Sequence, residues 1–402
     1  MHHLPTLIQD LALILVIAGI TTLLFKKLKQ PLVLGYVLAG LLVGPNFTLL
    51  PTISDMDGVK VWADIGVIFL LFSLGLEFSF KKLAKVGGTA GITGLFEIIC
   101  MMALGYITGW LLGWPVMDRI FLGGIIAISS TTIIIRAFDE LNVKTERFAS
   151  LVYGILVVED LIAVLLLVLL STLAVSRESA GTEMLQSVLK LMLFLFLWFV
   201  AGIFLLPRFL KWTAKLINDE TLLIISLGLC FLMVVLATYI GFSAPLGAFI
   251  TGSALAGTNQ GEKIQLLLQP LKSLFGAIFF VSVGLLIDPA LLMQYIVPVL
   301  ILSVVVILGK TVNVTAGALI ARQPLQEALP AGMSMAQIGE FSFIIATLGL
   351  SLNVTGEYLY PIAVGVSVIT TFTTPYMIRL STPLYNRIAN KRQEKRNKVQ
   401  ES

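Results

Sequence analysis

The chain has 402 residues, of which 57% are hydrophobic and 12% charged, and its mean hydropathy is +0.98. A soluble domain is about a quarter charged, so this composition excludes a disordered or fibrous protein and an ordinary soluble enzyme, and makes a bilayer the natural solvent. The formal net charge of +4 is small. Two histidines, His2 and His3, stand at the N-terminus, and two cysteines, Cys100 and Cys230, lie within apolar runs. That leaves no HExxH zinc site, no Ser-His-Asp triad inside the membrane and no disulfide framework. Neither a Walker A nor a GxGxxG pattern occurs. No nucleotide, cofactor, nucleic acid or enzymatic chemistry is expected.

Thirteen hydrophobic segments recur along the chain, at 4–25, 31–45, 60–80, 86–112, 117–138, 147–174, 183–206, 220–240, 243–257, 264–287, 289–320, 325–350 and 356–380. Most are long enough to cross ~30 Å of hydrocarbon as a helix. The first is too long for a signal-peptide core and reads as a true span. The segments at 31–45 and 243–257 are short and carry internal glycine, a pattern met in transporters.

Basic residues alternate between loops. They follow the odd-numbered segments as Lys26, Lys27 and Lys29; Lys81, Lys82 and Lys85; Lys144 and Arg147; Arg208, Lys211 and Lys215; Lys263; and Arg322. The other loops hold Lys60, Arg119 and Arg177, and the end of the chain adds Arg379, Arg387, Lys391, Arg392, Lys395, Arg396 and Lys398. By the positive-inside rule the N-terminus is outside and the C-terminus cytoplasmic. Residues 381–402 read as a basic cytoplasmic tail, an anchor that could also meet anionic lipid.

Two passages repeat. Leu34-Gly35-Tyr36-Val37-Leu38-Ala39-Gly40 matches Leu246-Gly247-Ala248-Phe249-Ile250-Thr251-Gly252. In the segments that follow, Gly66-Val67-Ile68-Phe69 matches Gly276-Ala277-Ile278-Phe279, and Ser73-Leu74-Gly75-Leu76 matches Ser282-Val283-Gly284-Leu285. The paired segments differ by an odd number of crossings, so the copies run in opposite directions: an inverted-topology repeat of the alternating-access kind.

Ionisable residues inside a membrane are costly and therefore candidates for function. Glu159 and Asp160 are adjacent near the middle of the sixth segment. Their side chains point about 100° apart on a helix, so both can border one cavity. Two buried like charges resist joint ionisation, which suits a group that trades a proton for a cation. Lys310, in Gly309-Lys310-Thr311, needs an anion, and Glu159 or Asp160 is the natural partner. Neither charge is duplicated by the repeat. Ser129-Ser130-Thr131-Thr132 and Gln337-Ile338-Gly339-Glu340 are polar interruptions at matching places. They read as unwound stretches whose helix ends face substrate, with Arg136 and Glu340 offsetting the end charges; hydroxyls bonding back to their own helix are the bland alternative. Glu77 reads as reaching polar surroundings, Lys272 as snorkelling and Glu97 as making a structural hydrogen bond.

Taken in order, Leu34-Gly35-Tyr36 through Gly44-Pro45, Ser129–Thr132, Glu159-Asp160, Lys310 and Gly339-Glu340-Phe341 resemble the monovalent cation:proton antiporter-2 family, which includes Kef-type potassium efflux proteins and bacterial sodium/proton exchangers. The resemblance implies an all-α polytopic membrane protein of about thirteen helices, with two crossed broken helices and interleaved core and dimerisation subdomains over 1–402. It also implies a homodimer in the cell's inner (plasma) membrane that exchanges Na⁺ or K⁺ for H⁺ by alternating access. By it, Asp160 is the principal cation and proton carboxylate, and Glu159 is the accessory position paired with Lys310. Many sodium exchangers of that family have Asp-Asp here, and Kef-type proteins have Gln-Asp. The residues alone also leave open a cation channel or a sodium-coupled organic-solute symporter.

Overall fold

A computed structural model describes residues 6–28, 32–47, 51–77, 87–175, 218–239, 244–285, 287 and 289–400. Every regular element among them is a helix: α1 Thr6–Lys27, α2 Leu32–Val43, α3 Met56–Glu77, α4 Gly88–Leu111, α5 Val116–Ala127, α6 Thr131–Leu141, α7 Arg147–Val175, α8 Asp219–Tyr239, α9 Ala244–Ala256, α10 Gly261–Leu285, α11 Pro289–Gln294, α12 Ile296–Ile320, α13 Leu325–Ser334, α14 Glu340–Ser351 and α15 Leu359–Gln400. In hydrocarbon a backbone can bond only to itself, so apolar runs of this length become helices. Nine spans among the described residues are long and apolar enough to cross a membrane, and the protein is multi-pass. Twelve of the thirteen predicted segments coincide with helices; the segment at 183–206 lies outside the described residues, as do Lys29, Lys81, Lys82, Lys85, Arg177, Arg208, Lys211 and Lys215.

Three details differ from the sequence reading. The short segments at 31–45 and 243–257 form unbroken helices, α2 and α9. The segment at 289–320 divides at Tyr295 into α11 and α12. The last helix does not stop at 380 but continues to Gln400, so most of the basic tail is helical backbone.

The chain divides into two compact units, each discontinuous in sequence. One comprises Met1–Lys82 and Val164–Pro289. In it the glycines of the repeat serve close packing. Gly40 of α2 lies against Gly284 of α10, and a Cβ on Gly284 would stand 2.9 Å from the Gly40 Cα and strike the Val37 carbonyl oxygen. Gly75 of α3 lies against Gly252 of α9, where a Cβ on Gly75 would stand 2.9 Å from the Gly252 Cα and strike the Phe249 carbonyl oxygen. Gly252 is the repeat counterpart of Gly40, Gly75 that of Gly284, and Phe249 that of Val37. The same contact is thus made twice, each time between the first helix of one copy and the second helix of the other. Ile14, Ala39, Val43, Val59, Ile278 and Val281 fill the core beside one of these crossings.

The other unit comprises Leu83–Ala163 and Ala290–Ser402. Here the repeat is written in helix ends. α5 begins after Pro115 and α13 after Pro324, and α6 begins at Thr131 and α14 at Glu340, all at one offset. Leu112, Gly113 and Trp114 donate to the carbonyls of Thr108, Trp110 and Gly109; Ala321, Arg322 and Gln323 donate to those of Gly317, Leu319 and Ala318. The left-handed backbone at Gly113 (φ 76°) recurs at Arg322 (φ 64°). α4 and its counterpart α12 pack antiparallel, Gly317 against Thr93 and Gly309 against Met101. The copies therefore run in opposite directions.

Because the α2–α10 approach leaves only backbone to meet a new side chain, Gly284→Val should overpack it by about 1–3 kcal/mol. A lower thermal midpoint in detergent is expected. Gly228→Ala, with nothing within 4 Å of the new Cβ, should leave the midpoint unchanged.

Candidate functional site

Two helices of the second unit are interrupted in mid-course. Between α5 and α6 the chain is extended at Ile128 (φ −106°, ψ 125°), and between α13 and α14 it is extended at Gly339 (φ −109°, ψ −170°). Breaking a helix inside apolar surroundings frees backbone groups that must find partners. Here each interruption supplies them for the other. The Gly339 N–H donates to the Ile128 carbonyl at 3.1 Å. The Gln337 amide grips Ser130 from both sides: its oxygen accepts from the Ser130 N–H at 3.1 Å, and its nitrogen donates to the Ser130 carbonyl at 3.2 Å. A Cβ on Gly339 would stand 2.8 Å from Ser129 O and from Ser130 N, so only glycine allows this approach. Ser342 Oγ donates to the Ile125 carbonyl at 2.6 Å, and Ser130 Oγ caps α6 by accepting from the Ile133 N–H at 3.3 Å. The Ser/Thr run does not bond back along a continuous helix; it ends one helix and starts the next.

Charge is gathered at this crossing. Lys310, fully buried in the middle of α12, donates to Glu97 Oε1, Ser129 Oγ and the Ala127 carbonyl, each at 2.8 Å, and to Glu159 Oε1 at 3.3 Å. The Ala127 carbonyl is the last of α5, a negative helix end that an ammonium suits. Glu159 is also fully buried; its Oε2 accepts from the Ser129 N–H at 2.7 Å and its Oε1 from Ser129 Oγ at 3.2 Å. Asp160, one residue further along α7, is half-buried and accepts from Thr131 Oγ1 at 3.1 Å. Thr131 is the first residue of α6, so this carboxylate lies at a positive helix end.

The sequence candidates Glu159, Lys310, Ser129, Ser130, Gln337 and Gly339 therefore meet in one network, with Thr131 joining Asp160 beside it. Thr132, the second residue of α6, is exposed, and Glu340 is the first residue of α14, where an acid favours the helix dipole. Arg136 sits midway along α6 instead of at an end. Glu97 makes the hydrogen bond expected of it, but to Lys310, so that it is also an ion pair within the cluster, which the sequence reading did not place it in. The repeat held the clue. α4 and α12 are counterparts that cross antiparallel, so a residue near the crossing faces its own counterpart. Lys310 corresponds to Met101, and Glu97 lies one helical turn from Met101.

Other charges, buried at Asp10 and Asp118 and partly exposed at Lys272 and Glu77, serve structure. Asp10 of α1 accepts from the N–H groups of Ser54 (3.1 Å) and Asp55 (2.7 Å) just ahead of α3. Lys272 meets Glu77 at 3.5 Å, and Gln265 donates to the same carboxylate at 3.2 Å. Asp118 accepts from the Gly356 N–H at 2.8 Å and from the Tyr358 hydroxyl. Burial first, then the bond to Asp118, push the Tyr358 hydroxyl above the usual phenol range. Asp118 and Gly356 have as repeat counterparts Glu327 and Arg147, which pair at 3.8 Å.

An all-helical membrane fold with an inverted repeat, two crossed helix breaks and a buried carboxylate–ammonium cluster defines a secondary transporter architecture. The profile of the family described as "Sodium/hydrogen exchanger, transmembrane" matches residues 12–379, and the chain belongs to that family. "K(+) efflux antiporter 5" of Arabidopsis thaliana is 32% identical over 383 residues, covering 93% of this chain and 66% of the plant protein. The chain thus spans about two thirds of that relative's length, and 64% of that of "K(+) efflux antiporter 4" from the same plant. The "Na(+)/H(+) antiporter" of Enterococcus hirae is 28% identical and covers 92% of this chain and 97% of its own. The structure of the sodium proton antiporter MjNhaP1 from Methanocaldococcus jannaschii superposes with a TM-score of 0.70 at 20% identity, over 96% of this chain and 98% of that one; it shares the fold.

Lys310→Met would remove the counter-charge of two buried carboxylates. Breaking a buried pair from one side costs about 3–5 kcal/mol, so a marked fall in thermal midpoint is expected. Thermal unfolding in detergent, variant against wild type, checks it.

Proposed function

We propose that this protein exchanges Na⁺ or K⁺ for H⁺ across a membrane by alternating access. The observation that carries the reading is Asp160: a half-buried carboxylate at a helix N-terminus, next to a fully buried Glu159–Lys310–Glu97 cluster, inside crossed helix breaks. In this reading Asp160 is the cation and proton ligand. The α6 helix end and the Thr131 hydroxyl are placed where a carboxylate suits them, and a proton and a cation cannot both occupy it. Competition for one carboxylate gives exchange instead of free flow. Glu159 is the accessory carboxylate, and Lys310 occupies it when no cation is bound. Ser129, Ser130, Thr131, Thr132, Gln337, Gly339 and Glu340 frame the crossing. The relatives' names, potassium efflux and sodium/proton antiporters, support the same reading.

The unit holding the cluster is the ion-carrying core, and the unit with the glycine crossings is the dimerisation part. α1 and α8 present exposed apolar side chains, among them Val16, Ile20, Leu23, Ile224, Leu232 and Val235, suited to lipid or to a second copy. The reading puts the protein in the plasma membrane, and the placement of basic residues supports an N-terminus outside and a C-terminus in the cytoplasm.

The test is proton flux in proteoliposomes carrying an internal pH dye under an imposed pH gradient, with NaCl or KCl added separately. Cation-triggered collapse of the gradient is expected, and it names the ion. Asp160→Asn should abolish it while leaving the elution profile in detergent unchanged. Undiminished exchange in the variant overturns the assignment of Asp160. Absence of proton movement with either salt favours a channel or symporter.

A further inference from the structure

Lys310 has two carboxylate partners, and they are not equivalent. The contact to Glu97 is 2.8 Å and that to Glu159 is 3.3 Å, with all three side chains fully buried. Glu159 is held independently of the lysine, because both its oxygens accept from Ser129. Glu97 has no other counter-charge: among the described residues Lys310 is the cation that donates to it, its Oε2 has no donor within hydrogen-bond distance, and its other charged neighbour is the Glu159 carboxyl itself. If Lys310 released Glu97, a carboxylate would be stranded in apolar surroundings, the costly case for a buried charge. If Lys310 released Glu159, that carboxylate would keep two donors, and Lys310 would keep Glu97, Ser129 and the Ala127 carbonyl.

We propose that Glu97 is a positioning residue for exchange: the fixed partner that retains the Lys310 ammonium while Glu159 changes partner between Lys310 and the incoming cation. This rests on the antiporter reading above and extends it from two carboxylates to three. Without Glu97, the ammonium has only Glu159 to pair with and competes harder with the cation. Glu97 itself stays off the cation; it acts through Lys310.

The experiment measures initial rates of Na⁺- or K⁺-driven proton flux in proteoliposomes against cation concentration, for the wild type, Glu97→Gln and Glu97→Asp. Glu97→Gln keeps the shape and removes the charge. Its cation KM is expected to rise about tenfold, the usual scale for a residue that orients a ligand-binding group, with maximal rate within about twofold of the wild type. Glu97→Asp keeps the charge and should recover most of the KM. An unchanged KM in Glu97→Gln overturns the proposal. So does a fall in maximal rate at constant KM, which marks a merely structural residue, or an aspartate variant no better than the glutamine one. If Glu97→Gln fails to fold, Glu97→Asn, which also removes the charge, decides: a raised KM at an unaltered maximal rate supports the proposal, and an unaltered KM overturns it. Wild-type protein that moves no protons in response to either salt fails the antiporter reading itself, a result distinct from all of these.

Discussion

An ammonium and two carboxylates without solvent contact in the middle of a membrane unit dictate much of what surrounds them. Taken singly, each ion would be far too expensive to bury. Together, Lys310, Glu97 and Glu159 make a cluster that is tolerable only because its hydrogen-bonding capacity is almost filled: three oxygens close around the ammonium at 2.8 Å and a fourth stands at 3.3 Å. Two of those oxygens, the Ala127 carbonyl and Ser129 Oγ, are available because α5 stops at Ala127. An unbroken helix would have spent that carbonyl on its own backbone. The helix break and the charge cluster therefore require one another.

The second break answers the first. An extended stretch at 128–130 leaves N–H and C=O groups that a bilayer will not satisfy. Gly339, Gln337 and Ser342 satisfy them from across the crossing, and the absence of a side chain at Gly339 lets the two backbones approach. The result is a polar knot with little freedom of its own, set among apolar helices. Asp160 stands at its edge, half-buried and bonded to Thr131.

Duplication explains the scaffold and not the chemistry. Helix starts, caps and left-handed turns recur from one copy to the next in the unit of Leu83–Ala163 and Ala290–Ser402, and the glycine crossings recur in the other. The charges do not: Glu159, Asp160 and Lys310 correspond to Val368, Ile369 and Met101. Within each unit two inverted copies build a duplicated frame, and substitutions made in one copy or the other, carboxylates in the first and Lys310 in the second, bring the charges to one crossing. The inversion also places residues near the crossing opposite their own counterparts, which is why a lysine in α12 finds a glutamate in α4.

Much of this was legible in the chain. Apolar runs set the helices, because in hydrocarbon a run of some twenty apolar residues has one way to satisfy its backbone. The internal repeat gave the inversion by parity alone. Ser129–Thr132, Gln337–Glu340, Glu159-Asp160 and Lys310 stood out as polar residues in apolar surroundings, and all but Thr132 and Glu340 lie in or beside the network those surroundings enclose. What the tertiary structure alone decided is which charge meets which. Pairing across α4, α7 and α12 depends on crossing height and side-chain reach, and no local pattern in the sequence encodes either. Glu97 looked bland for that reason. The glycines of α2 and α9 were visible as a pattern without a purpose, because a glycine's role, whether to end a helix or to admit a neighbour, is set by what packs against it.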